Sequence, residues 1–543
     1  MAKKILDPMS AAMTDEHARA MDALRESVMA QYGENAAISD GAFDETCAAR
    51  CVNGTFVGRR DDGVICYRGV PYVGAQPTGD LRWRAPVAFE ARDGVFEAYY
   101  NGKVACQREI EPGSVYPMGE DCLYLNLWKA DDADVDGRPV MVWVHGGGYE
   151  IGTTVDTCYD FSNFVRENPS VIVVSVAYRL GVLGFLHLAH LEDGADYADA
   201  QNLGLLDLKM ALRWVHENVA AFGGDPENVT IFGESAGAGA VTLLPLVEGA
   251  QAYFRRVIAE SGSPALSRST EQAIACTDEL LEELGCKTVA DLMALDAQEL
   301  VRAAGEVLSM RQFPVRDGRV LPRDTLDAYA QGATKDIDLI IGCNKDEMNC
   351  YVSSMGVDAY LAWGDEIKRR KYAQLTDGER TLAEGFGQDV GGDGYSHVSR
   401  LLDQLWFIAP LFRTAENHVG AGGRAYAYFF TTESSVPLMK SGHGVELYCV
   451  LDHPEMTEST GRPFDQAFCK TMRQMWVAFA TCGDPSLPAE ASPDGRTLTW
   501  PVYDLEERHV MVFDEFDTRA VRESEKGIVD WARTYPLTKY YVF

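Results

Sequence analysis

The sequence predicts an α/β protein whose large, mostly parallel or mixed central sheet is covered on both faces by helices. Three observations point there. From residue 123 onward, short β-branched and aromatic runs alternate with helix-length patterns of apolar residues, and such alternation puts crossover helices on both faces of a sheet. One run, Asn228 to Phe232, passes through Gly233-Glu234-Ser235-Ala236-Gly237 into the small-residue stretch Ala238 to Val241, a tight strand-to-helix turn. Another, Val140 to Val144, ends in the glycine-rich loop His145-Gly146-Gly147-Gly148-Tyr149.

Residues up to about 45 read as an appended helical segment, because Met21, Leu24, Val28 and Tyr32 share one face at helical spacing. Residues 46–543 read as a single domain. Cys51 to Phe56 and Val64 to Tyr67 suggest an antiparallel hairpin around Asp61-Asp62-Gly63. Strands follow at Leu123 to Trp128, Pro139 to Val144, Val171 to Tyr178, Val229 to Phe232, Arg256 to Ala259, Leu339 to Ile341, Tyr426 to Phe430 and Val510 to Phe513. The clearest helix carries Leu205, Leu208, Leu212, Val215, Val219 and Phe222, and stops at Gly223-Gly224. Residues 270–335 and 348–420 are largely helical in pattern, exemplified by Thr277 to Leu284 and Val398 to Phe407, and read as insertions that roof a pocket.

The chain has 543 residues, 46% of them hydrophobic and 24% charged, enough for a large soluble core. No run reaches the ~18 apolar residues of a membrane span. Lys3 and Lys4 are followed by charged residues rather than an apolar segment, so no signal peptide is read and the cytoplasm is expected. Thirteen cysteines without compact spacing fit reduced thiols there. A net charge of −33 argues against nucleic acid as a partner and disfavours strongly anionic substrates.

A serine on a strained strand-to-helix turn projects its hydroxyl from the top of a sheet, which makes Ser235 a candidate nucleophile. Such a serine needs a base, a carboxylate to orient the base, and donors for a developing oxyanion. Consecutive glycines let backbone N–H groups face a concavity, so Gly147 and Gly148, with the N–H of Ala236, are the candidate donors. A dinucleotide loop is the rival reading of Gly146-x-Gly148, but Ile151 stands where its third glycine would be. The strand Asp338 to Ile341 runs into Asn344-Lys345-Asp346-Glu347, leaving Asp346 and Glu347 as competing acids. Among the later histidines, His443 is favoured because it sits between Gly442 and Gly444 on a loop after a strand, whereas His397, His418, His453 and His509 lack that setting. His187 and His190 have no further ligand cluster and read as structural. No metal or organic cofactor is expected.

These residues, with Tyr67-Arg68-Gly69-Val70-Pro71-Tyr72, Glu120-Asp121-Cys122-Leu123-Tyr124-Leu125-Asn126, Tyr178-Arg179-x-Gly181, Phe222-Gly223-Gly224-Asp225-Pro226, Ser261-Gly262-Ser263-Pro264 and His443-Gly444-x-Glu446, resemble the type-B carboxylesterase/cholinesterase family of α/β-hydrolases. Within it, the bacterial para-nitrobenzyl-esterase-like members are the ones resembled. The resemblance spans most of residues 50–515 and implies the α/β-hydrolase fold. It implies a serine esterase acting on small-molecule esters, with the triad Ser235, Glu347 and His443. It also implies that Glu234 and Ser261 lie around the histidine and nucleophile, and that Arg82 with Glu120 and Arg179 with Asp207 form buried ion pairs. Cys106 and Cys122 match a cysteine pair of secreted members, while Cys286 has no matching partner.

The chain departs from the family pattern at Tyr149, Leu208 and Met348, and its short loop after Cys106 lacks the cholinesterase aromatic. Met348 is expected to tilt the acid loop, and Tyr149 to add a hydroxyl near the acyl site. The same triad would also serve an amidase, thioesterase or carbamate hydrolase. A non-catalytic adhesion or binding protein on this fold would lack triad members that are all present here.

Overall fold

A computed structural model describes residue 26 and residues 28–523, apart from 40, 109–115, 133–135, 374 and 386–393. Of the face read in the N-terminal segment, Met21 and Leu24 lie outside the described residues. Val28 is helical and buried, and Tyr32 bridges to Asn101.

The strands are β1 (Ala48–Cys51), β2 (Gly54–Val57), β3 (Arg59–Asp61), β4 (Val64–Pro71), β5 (Val95–Glu97), β6 (Val104–Ala105), β7 (Met118–Gly119), β8 (Tyr124–Ala130), β9 (Arg138–Val144), β10 (Ile172–Val176), β11 (Gly224–Glu234), β12 (Arg256–Glu260), β13 (Arg268–Ser269), β14 (Val315–Arg316), β15 (Asp338–Asn344), β16 (Arg424–Phe430), β17 (His509–Phe513) and β18 (Arg519–Arg522). Eleven of them form one sheet in the order β18-β17-β16-β15-β12-β11-β9-β10-β8-β4-β3. From β10 to β17 every neighbour is parallel, and antiparallel pairings appear only toward the edges, at β8, β4, β3 and β18. All the long strands read from the sequence are there, most of them one or two residues longer. The short β5 and β18 were not legible.

The early hairpin differs from its reading. Cys51 to Phe56 is not one strand: Cys51 pairs with Gly54 across a turn at Val52-Asn53, giving β1 and β2. The Asn53 side chain is used inside, accepting from Trp214 Nε1 at 2.9 Å and donating to the Pro71 carbonyl at 2.8 Å. The expected turn at Asp62-Gly63 does join a hairpin, between β3 and β4.

Successive side chains of a strand point to opposite faces, so a doubly covered strand feeds two cores. Along β9, Val140, Val142 and Val144 enter the core under helix Leu203–Asn218, while Met141 and Trp143 enter the one under helix Gln466–Cys482. Trp143 and Trp476 are fully buried; each large side chain of this kind contributes about 1.5–3 kcal/mol by leaving water. Helix Leu203–Asn218 continues as a 3₁₀ turn to Phe222 and ends at Gly223 in the left-handed region (φ 86°), where the sequence placed its stop. Helix Thr270–Leu284 opens with a Ser269–Gln272 capping box and ends on left-handed Gly285. With helix Ala297–Val307 it encloses a satellite core. Helix Gly394–Leu402 runs on through a π-helical turn, Asp403–Ile408. Among the described residues no helix is long and apolar enough to cross a membrane.

Both implied ion pairs are formed. Arg82 reaches Glu120 through two bonds of 2.5 and 2.7 Å, and Arg179 reaches Asp207 through bonds of 2.8 and 2.6 Å. The Asp207 side chain has no exposure, so removing it strands a buried guanidinium. Asp207→Ala is expected to cost about 3–5 kcal/mol, whereas Asp62→Ala, which deletes the exposed pair with Arg166, should cost under about 1 kcal/mol. Urea unfolding midpoints of the two variants check the contrast.

Candidate active site

Parallel strands align their C-terminal ends on one edge of the sheet, the edge where α/β proteins build their sites. Four segments meet there: the glycine loop after β9, the turn after β11, the acid loop after β15 and the histidine loop after β16.

The turn after β11 bends sharply. Ser235 has φ 57° and ψ −122°, in the sparsely populated region for a side-chain-bearing residue. Its N–H is held by the Glu260 carbonyl at 2.8 Å, at the end of the neighbouring β12. Helix Ala236–Leu243 then packs so closely that a Cβ at Gly237 would lie 2.0 Å from the Val144 carbonyl oxygen. The serine sits at a helix N-terminus, where the N–H of Ala236 has no intrahelical partner.

The glycine loop lies against this turn, since a Cβ at Gly146 would meet Ser235 Cβ at 3.1 Å. Gly147 (φ 100°) and Gly148 (φ 63°) adopt backbone that side chains disfavour. Tyr149 follows at φ 61°, fully buried, edge-on to Phe185 and Phe313 at 5.2 and 5.6 Å. Its hydroxyl has no hydrogen-bond partner among the described residues, and it borders Gly239 of the nucleophile helix. His145 is buried, its ring stacked on Tyr178 at 4.7 Å, and burial lowers its pKa to about 4.

Glu347 and His443 are brought together. Glu347 Oε2 lies 2.6 Å from His443 Nδ1, and Oε1 accepts the Asn344 N–H at 2.7 Å. The two loops are also joined backbone to backbone: His443 N–H donates to the Glu347 carbonyl at 3.0 Å, and Asp346 N–H to Ser441 at 3.1 Å. Asn344 Nδ2 donates to the Gly442 carbonyl at 2.7 Å and to Glu446. Asp346 turns elsewhere, toward Lys345 at 3.6 Å. Met348 is the buried residue that precedes helix Asn349–Met355 (φ −70°), and its N–H is taken by Asp403 Oδ1 at 2.7 Å.

His443 Nε2 faces Glu234 Oε1 at 3.0 Å, and Ser235 Oγ makes no hydrogen bond among the described residues. Burial works against a charged His443, but the carboxylates of Glu234 and Glu347 outweigh it and raise its pKa to about 10. Burial raises Glu234 to about 7 despite the imidazole beside it.

Ser261 has φ 57°, and its Oγ reaches Glu446 Oε1 at 3.4 Å, so it supports the histidine loop through that carboxyl. Glu446 is pushed up to about 8, first by burial and then by Glu234 and Glu347. Glu260, fully buried, accepts from Trp476 Nε1 at 3.2 Å. Asn344, Glu260 and Asp403 were missed from sequence. Asn344 stood inside the Asn344-Lys345-Asp346-Glu347 segment without a role, Glu260 stood next to Ser261, and nothing local marked Asp403.

The helical insertions supply aromatic walls. Phe407 and Tyr351 lie 5.0 and 6.5 Å from the His443 ring, and Met310 borders Gly148. Other expected residues fall elsewhere. His187 meets Gln201 and His190 meets Asp278 at 3.0 Å; His418 meets Thr334 at 2.9 Å; His453 meets the Asp160 carbonyl at 2.9 Å. Cys106 and Cys122 are buried free thiols.

The Carboxylesterase family model matches residues 48–527. The chain is 31% identical over 500 residues to para-nitrobenzyl esterase of Bacillus subtilis (strain 168), covering 87% of this chain and 96% of that one. It is 32% identical over 468 residues to fumonisin B1 esterase of Sphingopyxis macrogoltabida, covering 81% and 82%. Among solved structures, carboxylesterase EST55 of Geobacillus stearothermophilus superposes with a TM-score of 0.78 at 33% identity, over 89% of this chain and 99% of that one.

Proposed function

Because the chain belongs to the carboxylesterase family, we propose that it hydrolyses carboxylic esters through an acyl-enzyme, with Ser235 as nucleophile, His443 as base and Glu347 as the carboxylate that orients the base. The observation that carries this reading is the 2.6 Å contact of Glu347 with His443 Nδ1 on the sheet edge that also bears the Ser235 turn. That contact fixes the proton on Nδ1 and leaves Nε2 to work as the base.

Ser235 Oγ attacks the ester carbonyl as its proton passes to His443 Nε2. The oxyanion that forms accepts hydrogen bonds from Gly147, Gly148 and Ala236. Collapse expels the alcohol, which takes the proton from Nε2 and leaves Ser235 acylated. A water then gives its proton to Nε2, attacks the acyl carbon and releases the carboxylic acid, returning the proton to Ser235. The Ser235–His443 hydrogen bond is to form as substrate enters, since catalytic hydrogen bonds are often long or poorly aligned before then; until then Nε2 lies 3.0 Å from Glu234 Oε1.

Turnover of p-nitrophenyl esters from acetate to octanoate tests the reading, and the best chain length sizes the acyl pocket. Absence of turnover on every ester would overturn it. Only neutral His443 accepts the serine proton, so the rate must rise with pH as the imidazolium, raised by Glu234 and Glu347, loses its proton. Two carboxylates hold that proton, so the acid limb is expected above the ordinary imidazole value of about 6.5. Glu234→Gln removes one of them and should move the limb to lower pH.

A further inference from the structure

Glu150 has no part in the mechanism above, yet it follows the glycine loop directly and is only 5% exposed. A carboxylate buried to this degree is costly unless its oxygens are taken up. Oε1 accepts the N–H groups of Arg311 and Gln312 at 3.0 and 3.3 Å. Burial raises the pKa of this carboxyl, and the Met310 N–H draws it back down. Successive amides of a segment that belongs to no helix or strand thus face one side chain.

The carbonyls of the same segment go to a second buried charge. Arg268 donates through Nη1 to the Arg311 carbonyl at 2.7 Å and through Nε to the Phe313 carbonyl at 3.1 Å. Glu150 and Arg268 therefore grip residues 310–313 by opposite sides of the backbone. Within that grip Met310 has φ 58°, a left-handed conformation that a side-chain-bearing residue keeps only where its surroundings impose it. Its thioether rests on the glycine loop, since a Cβ at Gly148 would lie 3.1 Å from Met310 Sδ.

The backbone of Glu150 is tied into the loop as well. The Gly147 carbonyl accepts the N–H groups of Glu150 and Ile151 at 3.1 and 3.0 Å. In a trans peptide a carbonyl and the next N–H point opposite ways, so this turn sends the Gly148 N–H out on its other side. We propose that Glu150 is a positioning residue for the oxyanion donors: its side chain ties the Gly147–Ile151 turn to the Met310 segment, so that the Gly148 N–H is in place before charge develops. The inference rests on the esterase reading and adds to it the group that holds the donors. Donors of this kind act by needing no reorganisation at the moment of reaction, and a misplacement of about 1 Å can cost about 10²-fold in rate.

The test compares three variants of the full-length protein. Glu150→Leu removes the acceptor, Glu150→Asp draws it back by one methylene, and Glu150→Gln keeps an acceptor oxygen at the same reach. Each is assayed on p-nitrophenyl butyrate and titrated with an alkyl trifluoromethyl ketone, whose carbonyl becomes an oxyanion when Ser235 Oγ adds to it. Glu150→Leu and Glu150→Asp should lower kcat/KM by about 10–100-fold, mostly in kcat, and raise the ketone Ki by the same factor. Glu150→Gln should restore both to within about threefold of the wild type. Where Glu150→Leu does not fold, Glu150→Asp carries the same comparison. A merely structural role would lower kcat through loss of folded protein and leave the ketone Ki unmoved, and that result would overturn the proposal. So would unchanged kinetics in both variants, or a Glu150→Gln as impaired as Glu150→Leu. In each of those cases a wild type that turns over the ester keeps the esterase reading standing. A wild type that neither turns over the ester nor binds the ketone takes down that reading and this one together.

Discussion

Ser235→Ala is expected to lower ester turnover by about 10⁶-fold while leaving the fold intact. A nucleophile lost from a working triad removes nearly all the advantage the triad gives, and what survives comes from the oxyanion donors and from binding. The fold should not suffer, because the bonds that shape the turn are made by backbone: Ser235 N–H to Glu260, and the close approach of Gly237 to Val144. Alanine would keep both, and Ser235 Oγ holds no structural hydrogen bond among the described residues. Comparing p-nitrophenyl ester turnover and circular dichroism of the two proteins decides it. A variant that is folded and still fully active would take Ser235 out of the mechanism.

Glu347→Gln should be the second large loss, about 10⁴-fold in kcat. Glutamine keeps the size of the side chain but offers an amide where Nδ1–H now finds a carboxylate at 2.6 Å. The imidazole then loses both its orientation and the charge that stabilises its protonated form. Asp346→Asn should cost far less, since the Asp346 side chain points to Lys345 and its contribution to the histidine loop is its backbone N–H. If Asp346→Asn proved the more damaging, the acid would be misassigned. The pair of variants separates charge at the histidine from integrity of the loop, because both substitutions preserve volume.

The sequence carried far more of this protein than one motif suggests. Central strands buried on both faces read as unbroken apolar runs, which is why β9, β10 and β12 could be located to within two residues. Glycines were legible wherever a turn needs left-handed backbone or close approach, as at Gly147, Gly223 and Gly237, because no other residue fits there. Edge elements were not legible: β18 carries Arg519 and Arg522 and has no run of its own, and the Val52-Asn53 turn hid inside a β-branched stretch. Residues alone could not choose between Asp346 and Glu347, which are neighbours of one charge type. The resemblance implies Glu347, whose carboxylate lies 2.6 Å from His443 Nδ1.

By itself, then, the sequence determined the α/β architecture, the family, and which strand ends carry the candidate groups, because these depend on local pattern and on residues irreplaceable at their positions. Only the tertiary structure decided the distances around His443. Glu234 and Glu347 approach it from two other segments and Glu446 from its own loop, while Asp403 arrives from a further segment to hold the acid loop. Those encounters are set by the register of parallel strands and the packing of distant insertions, and the proton affinity they create depends on burial. Neither quantity is written in the order of residues along the chain.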